Sequence, residues 1–480
     1  MGPYWVMMGI ILVLTPILCV TFSNNQRNSR VPLKRFFAEG RRHRYWLHIS
    51  GYLLIVYWKR ITDELNEPIK VSTGHYTDWV AAIEGDAVLW FQNAFENALL
   101  TELLNFHYLF IYLFLIYVTT IYYMYTGERD LTDKVALNYL LIYALAVPYY
   151  LFFNVEVTST YLPGMDALLY HDGWYTKFYV SHDPLDNSVP SLHIAIPFGI
   201  LMLNWLHVRE KGIAMKDWKH LAYHRFIVAN TILFGFAIIY LGVHWIVDIP
   251  LGMMVGALGA LFIHHVQPRL RNDFGKTFRG VDKKKFGRHA MFEGVVVLAM
   301  VGLLMGSIAY QAETMEDRPS IVLGPDDSKF DIIQKLEAGE EATLFLTNMD
   351  DDQSIEVILI EVEKSLPGFG ESEIIWAQLI LLEDPVTVGP GETHRFEIDE
   401  PELWQLVIVH LSEDADGPVE VHTRVVYSGG DRVNQALLLS LPSLWMTGFV
   451  IHRLVRLRGE GRSWFDSSPS HTWTASEESE

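Results

Sequence analysis

The sequence predicts an all-α polytopic membrane bundle of about nine spans, with a β-sandwich-like domain inserted before the last span. Half of the 480 residues are hydrophobic, and most of them lie in separate runs. A helix needs about 20 apolar residues to cross the hydrocarbon core of a bilayer. The apolar runs are 4–22, 45–58, 106–125, 135–154, 190–207, 226–243, 247–265, 291–310 and 435–452. A long acidic segment before the last run alternates apolar and polar residues, as strands do.

The first run is expected to remain in the protein as a membrane helix. It has neither the basic leading region nor the small-residue cleavage site of a signal peptide. Cys19, in this run, is the only cysteine of the chain, so no disulfide can form within it. The run at 45–58 is short. We expect it to form a tilted span, an interfacial helix or no span at all.

Basic residues predict the orientation. They follow the first run and recur at 208–225, at 266–289 and after residue 452. If nine spans are counted, all these segments fall on one side, which the positive-inside rule assigns to the cytoplasm. The opposite side then carries 155–189 and 311–434. We expect an integral protein of the plasma membrane, with these two segments extracytoplasmic.

The segment 311–434 carries most of the negative charge. In 311–430 there are 28 Asp and Glu against six Lys and Arg, a balance of −22, and the whole chain has −20. Runs such as "ATLFLTN" and "SIEVILIEVE" alternate apolar and polar residues, as strands do. Turns that contain Gly, Pro and Asp separate these runs. The charge serves either solubility or attraction of a basic extracytoplasmic partner. The final stretch, "SSPSHTWTASEESE", predicts a disordered cytoplasmic tail.

An amphipathic helix is predicted for "EGDAVLWFQNAF", residues 84–95, lying on the outer surface. Glu84 and Asp86 are expected on its solvated face, and contact with a lipid headgroup is the alternative.

Two polar motifs interrupt the apolar runs. The stretch "NSVPSLHIAIPFG" places Ser191 and His193 at the mouth of a helix, where capping and interfacial anchoring are alternatives to a functional role. The stretch "YLGVHWIVDIPLG" places His244 and Asp248 four residues apart, on one face of a helix, where the carboxylate can orient the imidazole. In the nine-span topology both histidines lie at the outer membrane level. This agreement in depth favours a functional site.

The two motifs resemble the second and third signatures of the type 2 phosphatidic acid phosphatase superfamily, and they are most similar to its inositol phosphorylceramide synthase branch. The resemblance covers roughly 75–265 and implies a six-helix phosphatase-type core. It implies that His244 attacks phosphorus to form a phosphohistidine, that Asp248 orients it, and that His193 protonates the departing oxygen. Ser191 and nearby backbone N–H groups would hold phosphate oxygens, as the start of a helix favours.

The chain lacks basic residues at positions where the signatures of the family have them. The third signature usually has Ser-Arg before the nucleophile, where this chain has Ala237 and Ile238. The first signature is expected near 150–163, which contains neither Arg nor Lys, and Ser159 stands about where its Arg would be. The outer segment that follows has one Lys or Arg, Lys177, which is therefore the candidate substrate-binding cation.

These features support two hypotheses of function. The first is a metal-independent enzyme that acts at the outer leaflet on a lipid phosphate or a polyprenyl diphosphate, as a phosphatase or as a phosphotransferase between lipids. The second is a catalytically weakened membrane scaffold that binds lipid headgroups and displays the acidic domain. No cofactor, metal site or nucleic-acid partner is predicted.

The predicted domains follow from these patterns. They are the N-terminal helices with a basic cytoplasmic loop (1–60), the phosphatase-like membrane core (61–270), a basic loop with a further span (271–310), the acidic β domain (311–434) and the last span with its tail (435–480).

Overall fold

The computed structural model describes residues 3–25, 30–73, 76–169, 187–270, 283–309, 311–317, 320–323, 328–333, 341–362, 380–381, 386–398, 404–411, 418–430 and 432–466. The chain divides into two compact units. One consists of Met1–Ile61, His75–Ala299 and Leu439–Glu480, and the other of Thr62–Gly74 and Met300–Leu438.

The apolar and amphipathic segments form helices. Within the described residues these are α1 (Pro3–Phe22), α2 (Leu33–Arg42), α3 (Trp46–Thr73), α4 (Thr77–Glu84), α5 (Ala87–Phe95), α6 (Ala98–Tyr125), α7 (Arg129–Phe152), α8 (Thr158–Tyr161), α9 (Leu192–Glu210), α10 (Leu221–Tyr240), α11 (Asp248–Leu270), α12 (Lys283–Ala309) and α13 (Arg432–Gly459), with a 3₁₀ turn at Met215–Asp217.

Seven helices of the described residues are long and apolar enough to cross a membrane. They are Trp5–Phe22, Ala98–Tyr125, Arg129–Phe152, Leu192–Glu210, Leu221–Tyr240, Asp248–Gln267 and Gln435–Gly459. Each overlaps one of the nine predicted runs. The other two runs, 45–58 and 291–310, overlap α3 and α12, which are not among the seven. The described chain is therefore mostly helical, as expected of an integral membrane protein, with a small β region.

The predicted amphipathic helix at 84–95 is in fact two short helices. α4 ends at Glu84 and α5 follows after a turn in which Gly85 has φ 54°. A residue with a Cβ atom is strained in this left-handed conformation, so the chain turns at the glycine. Trp79 of α4 and Trp90 of α5 are exposed, which is typical of helices at a membrane surface.

Helices α9 and α11 pack with their backbones in close contact. A Cβ atom at Gly252 would lie 2.7 Å from the carbonyl oxygen of Ser191. A Cβ atom at Gly256 would lie closer still to the carbonyl oxygen of Ala195. Only glycine fits such an approach. This glycine seam, formed by Gly252 and Gly256, holds the start of α11 beside the start of α9 and so brings the two sequence motifs together.

The last helix, α13, packs in the bundle although most of the second unit precedes it in the chain. The Ser443 hydroxyl donates a hydrogen bond to the Leu145 carbonyl of α7 at 3.0 Å. Beyond α13, the Phe465 carbonyl accepts a hydrogen bond from His264 Nε2 of α11 at 2.9 Å. The bundle is thus built from three separated stretches of the chain.

The end of the bundle far from the start of α9 holds a cluster of charged side chains. Lys134, with only 1% of its side chain exposed, binds Asp130 at 2.9 Å. The same carboxylate oxygen lies 3.0 Å from His207 Nδ1. In the loop before α7, Glu128 forms an ion pair with Lys219. These charges are tolerated at low exposure because opposite charges lie within ion-pair distance.

The acidic segment forms ten strands within the described residues. They are β1 (Gln311–Asp317), β2 (Ile321–Leu323), β3 (Ser328–Ile333), β4 (Glu341–Asn348), β5 (Ile355–Val362), β6 (Ile380–Leu381), β7 (Val386–Val388), β8 (Thr393–Ile398), β9 (Trp404–Leu411) and β10 (Val419–Gly430). One antiparallel sheet has the order β1-β10-β4-β8, with β2 beside β10, and the other has β3-β9-β5-β6, with β7 beside β5.

Apolar residues from both sheets share one buried core. Leu344 and Val425 come from the first sheet, and Ile355 and Val357 come from the second. Along β4, every second residue is buried and the others are partly or fully exposed. This is the alternation that the "ATLFLTN" run predicts.

Candidate functional site

His244 and Asp248 lie where the chain leads from α10 into α11. His244 Nδ1 is 2.9 Å from Asp248 Oδ2, and both side chains are buried, that of Asp248 completely. A proton on Nδ1 is donated to the carboxylate, which leaves the lone pair of Nε2 free. The hydrogen bond that the spacing predicts between these two residues is present.

The two residues do not share a helical face, however. α10 ends at Tyr240 and α11 begins at Asp248, so His244 lies in irregular backbone. The Trp245 N–H donates to Asp248 Oδ2 at 2.9 Å, and the Asp248 N–H donates to the Trp245 carbonyl at 3.1 Å. This reciprocal pair closes a tight turn, and the turn, rather than a helical repeat, brings the imidazole to the carboxylate.

Ser188 completes the surroundings of the carboxylate, although no sequence motif indicates it. Its hydroxyl donates to Asp248 Oδ2 at 2.8 Å and lies 3.4 Å from His244 Nδ1. Three donors therefore converge on one carboxylate oxygen. The only available signal was the position of Ser188 three residues before Ser191, and this spacing does not reveal a partner 60 residues away.

The segment before α9 is held by backbone contacts. The Ser188 N–H donates to the Val155 carbonyl at 3.0 Å, and Asn187 forms a β-bridge with Val155. The Tyr150 hydroxyl donates to the Pro190 carbonyl at 3.1 Å. These contacts fix the polar motif at the end of α7.

His193 and Ser191 lie at the start of α9. The His193 imidazole stacks on Tyr108, with 3.7 Å between ring centroids, and its centroid is 4.1 Å from that of Tyr112. It is close enough to His244 for the charges of the two imidazoles to interact. The Ser191 hydroxyl is buried and makes no hydrogen bond within the described residues. All four motif residues thus lie at one end of the bundle.

A third histidine lies beside His193. His107 of α6 is buried, and its Nε2 is 3.0 Å from the carboxamide oxygen of Asn230. The ring of Phe234 has its centroid 4.5 Å from that of His107 and 5.6 Å from that of His193. The charges of the two histidines are close enough to interact. A lone histidine in an apolar run has no spacing signal, so sequence reasoning missed it.

Glu84 also reaches this turn, contrary to the expectation of a solvated face. Its carboxylate oxygens accept hydrogen bonds from the N–H groups of Ile246 at 2.8 Å and Val247 at 2.5 Å. Burial raises the pKa of Glu84, the two N–H donors lower it, and the charge of Asp248 raises it, with a net increase.

Ser159 stands about where the first signature of the family has its Arg. The Ser159 N–H donates to the Gly242 carbonyl at 3.0 Å, and the Ser159 hydroxyl is buried without a partner among the described residues. Lys177, the predicted substrate-binding cation, lies outside the described residues. Where the structure describes the chain, no group of three or more His, Cys, Asp or Glu could hold a metal ion.

The apolar helices, together with a match to a known family, indicate a membrane protein of the phosphatase type. Residues 158–272 match the family model of the PAP2 superfamily. The matched segment contains both motifs, and the match supports the resemblance to the type 2 phosphatidic acid phosphatases, whose substrates are lipid phosphates in general. No curated protein and no solved structure shows a significant match to the chain.

Proposed function

We propose that the protein is an integral-membrane enzyme that cleaves or transfers the phosphate of a lipid phosphate ester through a phosphohistidine on His244. The observation that carries the proposal is the hydrogen bond of 2.9 Å between His244 Nδ1 and Asp248 Oδ2, close to His193. An imidazole oriented by a carboxylate is a competent nucleophile near neutral pH. The match of 158–272 to the PAP2 superfamily supports the same class of reaction.

In the first step, the lone pair of His244 Nε2 attacks phosphorus opposite the ester oxygen. The P–N bond forms while the P–O bond to the leaving group breaks, and protonated His193 gives its proton to the departing oxygen. Positive charge develops on the His244 ring, and the Asp248 carboxylate stabilises it through Nδ1. Ser188 holds the same carboxylate oxygen.

In the second step, an oxygen nucleophile resolves the phosphohistidine. Neutral His193 takes a proton from water or from a lipid alcohol, the oxygen attacks phosphorus, and the P–N bond breaks. Water releases inorganic phosphate, whereas an alcohol gives a phosphotransferase. The resemblance to inositol phosphorylceramide synthases favours testing the transferase alongside the phosphatase.

Ser191 and the start of α9 are the proposed phosphate-binding elements. The buried Ser191 hydroxyl has no partner among the described residues, and the first N–H groups of a helix favour an anion. The sequence has one Lys or Arg within 71–128, 135–208 and 226–268, namely Lys177. We assign to Lys177 the electrostatic role that arginine has in the family.

The site is proposed to face the outer leaflet of the plasma membrane. α9 has 19 residues, so it extends about 28 Å from the motif end to its other end. Arg209 lies at that other end, at the start of the basic segment 208–225. The positive-inside rule places this end in the cytoplasm, and the histidines therefore at the extracytoplasmic side.

Turnover by the purified protein tests the proposal. The panel contains lipid phosphates and polyprenyl diphosphates, with and without a lipid alcohol acceptor and always with EDTA. His244→Ala should abolish turnover and the trapping of phosphoprotein, because it removes the imidazole that Asp248 orients. Asp248→Asn should lower kcat by about 100-fold or more, since the oriented tautomer is lost. His452→Ala, at an exposed position, is the matched control.

Substrates with different leaving groups test whether His193 acts as the general acid. His193→Ala should impair turnover strongly with alkyl phosphates and weakly with an activated aryl phosphate, which departs with little protonation. Lys177→Ala should raise KM if Lys177 binds the phosphate.

Two results would count against the enzyme. Full activity of the His244→Ala variant would contradict the phosphohistidine mechanism. Lipid phosphate binding without turnover on the whole panel would favour the second hypothesis, a scaffold that displays residues 311–434.

A further inference from the structure

Glu84 holds two consecutive backbone N–H groups with its two carboxylate oxygens. The distances are 2.8 Å to the Ile246 nitrogen and 2.5 Å to the Val247 nitrogen. These two residues lie 162 and 163 residues after Glu84 in the sequence. Both N–H groups precede the first turn of α11, where the positive end of the helix dipole favours a negative charge. They also lie between His244 and Asp248, inside the turn that pairs those side chains.

The contact is made by a carboxylate whose ionised form burial and a neighbouring charge disfavour. Glu84 is partly buried, and the like charge of Asp248 lies close enough to oppose its ionisation. The carboxylate remains at this position because it gains two charge-assisted hydrogen bonds from backbone donors. Its pKa is nevertheless raised, because burial, together with the charge of Asp248, outweighs the effect of the two N–H donors.

The helix that carries Glu84 is fixed at its other end as well. The Thr77 hydroxyl, at the start of α4, accepts the Glu156 N–H at 3.0 Å. The Trp245 indole N–H donates to the Glu156 carbonyl at 2.8 Å. α4 is thus connected to the turn of His244 by two routes, one through Glu156 and one through Glu84.

We propose that Glu84 is a positioning residue that clamps the backbone between His244 and Asp248 and so keeps the imidazole on its carboxylate. The inference rests on the proposed function, because the positioning matters for turnover only if His244 is the nucleophile. Glu84 binds neither side chain of the pair. Its loss should therefore lower kcat through a looser turn while leaving substrate binding, and hence KM, nearly unchanged.

The test uses the full-length protein in detergent or nanodiscs. Glu84→Gln keeps the shape but loses the charge and one of the two acceptors, and Asp86→Asn, an exposed position two residues on, is the matched control. The first readout is hydrogen exchange of the peptide that spans 241–252. In Glu84→Gln, exchange at Ile246 or Val247 should accelerate about 10-fold or more, the effect of losing a hydrogen bond to a charged group.

The second readout compares the effect of the substitution on kcat with its effect on KM. In Glu84→Gln, kcat should fall by about 10-fold or more with KM within about threefold of wild type, because only the orientation of the nucleophile changes. Asp86→Asn should change neither quantity. If Glu84→Gln does not fold, Glu84→Asp, with its carboxylate one methylene shorter, should show the same two changes.

Each outcome decides the inference. Unchanged exchange would show that Glu84 does not clamp the turn. Faster exchange with unaltered kcat would reduce Glu84 to a structural cap. If the wild type has no turnover at all, the proposed function fails and the positioning role fails with it, whereas the exchange result still reports on the contact itself.

Discussion

At the scale of single residues, the carboxylate of Asp248 is the centre of the site. Its Oδ2 accepts hydrogen bonds from three donors, including the Ser188 hydroxyl at 2.8 Å. Its Oδ1 is buried with no partner among the described residues. The hydroxyl therefore helps to fix which oxygen faces His244, since rotation of the carboxylate would disrupt the three hydrogen bonds.

Ser188→Ala should lower kcat by about 10-fold, because a hydrogen bond to a charged group is worth roughly 1.5–3 kcal/mol. Ser188→Thr keeps the hydroxyl and should retain most activity. In an Asp248→Asn background, Ser188→Ala should cost much less, since Ser188 acts through Asp248. Equal losses in the two backgrounds would show that Ser188 acts elsewhere.

The motif histidines and aspartate could be predicted because residue type and short spacing define them. Ser188, His107 and Glu84 could not, because their partners lie 60, 123 and 162 residues away along the chain. Only the folded backbone brings such pairs together. The polar character of each residue was visible in the sequence, but its role was not.

At the scale of helices, the glycine seam sets the distance between the two motifs. Gly256→Ala should destabilise the bundle by about 1–3 kcal/mol, because the added methyl group overpacks a closed interface. Gly448→Ala in α13 is the matched control, since no described atom lies within 4 Å of its Cβ position. Thermal unfolding in detergent measures both. Equal melting temperatures for the two variants would contradict the seam.

The charged cluster at the other end of the helices makes stability depend on pH. Burial raises the pKa of Glu128, but hydrogen bonds from His220 and Lys219 and the charges of Lys219 and Lys211 lower it well below its usual range. The folded state therefore prefers ionised Glu128. Its contribution to stability is present above the ordinary carboxyl pKa and is lost as the pH falls toward the lowered pKa.

Glu128→Gln should lower the free energy of unfolding by about 1–2 kcal/mol at neutral pH, since its cation partners are partly exposed. The difference from wild type should shrink as the pH falls below about 4.3, the ordinary pKa of Glu. Glu102→Gln, at an exposed position of α6, is the control. A difference that stays constant down to acid pH would show that Glu128 does not act through its charge.

The apolar runs predicted seven helices well because length and hydropathy suffice for a membrane span. The break at Gly85 and the irregular turn before Asp248 were not predicted. The sequence stays amphipathic through Gly85, so its pattern does not reveal the break between the two helices. His244 and Asp248 are four residues apart, which is also the spacing of residues on one helical face, so the irregular turn is not apparent either. In both places the local backbone conformation, which the side-chain pattern does not report, determines the structure.

At the scale of the whole molecule, the charge and the β structure lie in the same segment. Expressed alone, residues 311–434 should be soluble and show the circular dichroism of β-sheet, because the two sheets of this segment supply its buried core between themselves. A helical or disordered spectrum would contradict the independent fold.

The position of α13 has a consequence for biosynthesis. α13 packs against α7 through Ser443, yet the 139 residues from Met300 to Leu438 must be made before most of it. At about 5–20 residues per second, their synthesis takes roughly 7–28 s. For that time the helices that precede Met300 have been synthesised, while α13 is not yet available to pack against α7. A nascent chain that is released or cleaved in this interval leaves the membrane domain without its final helix.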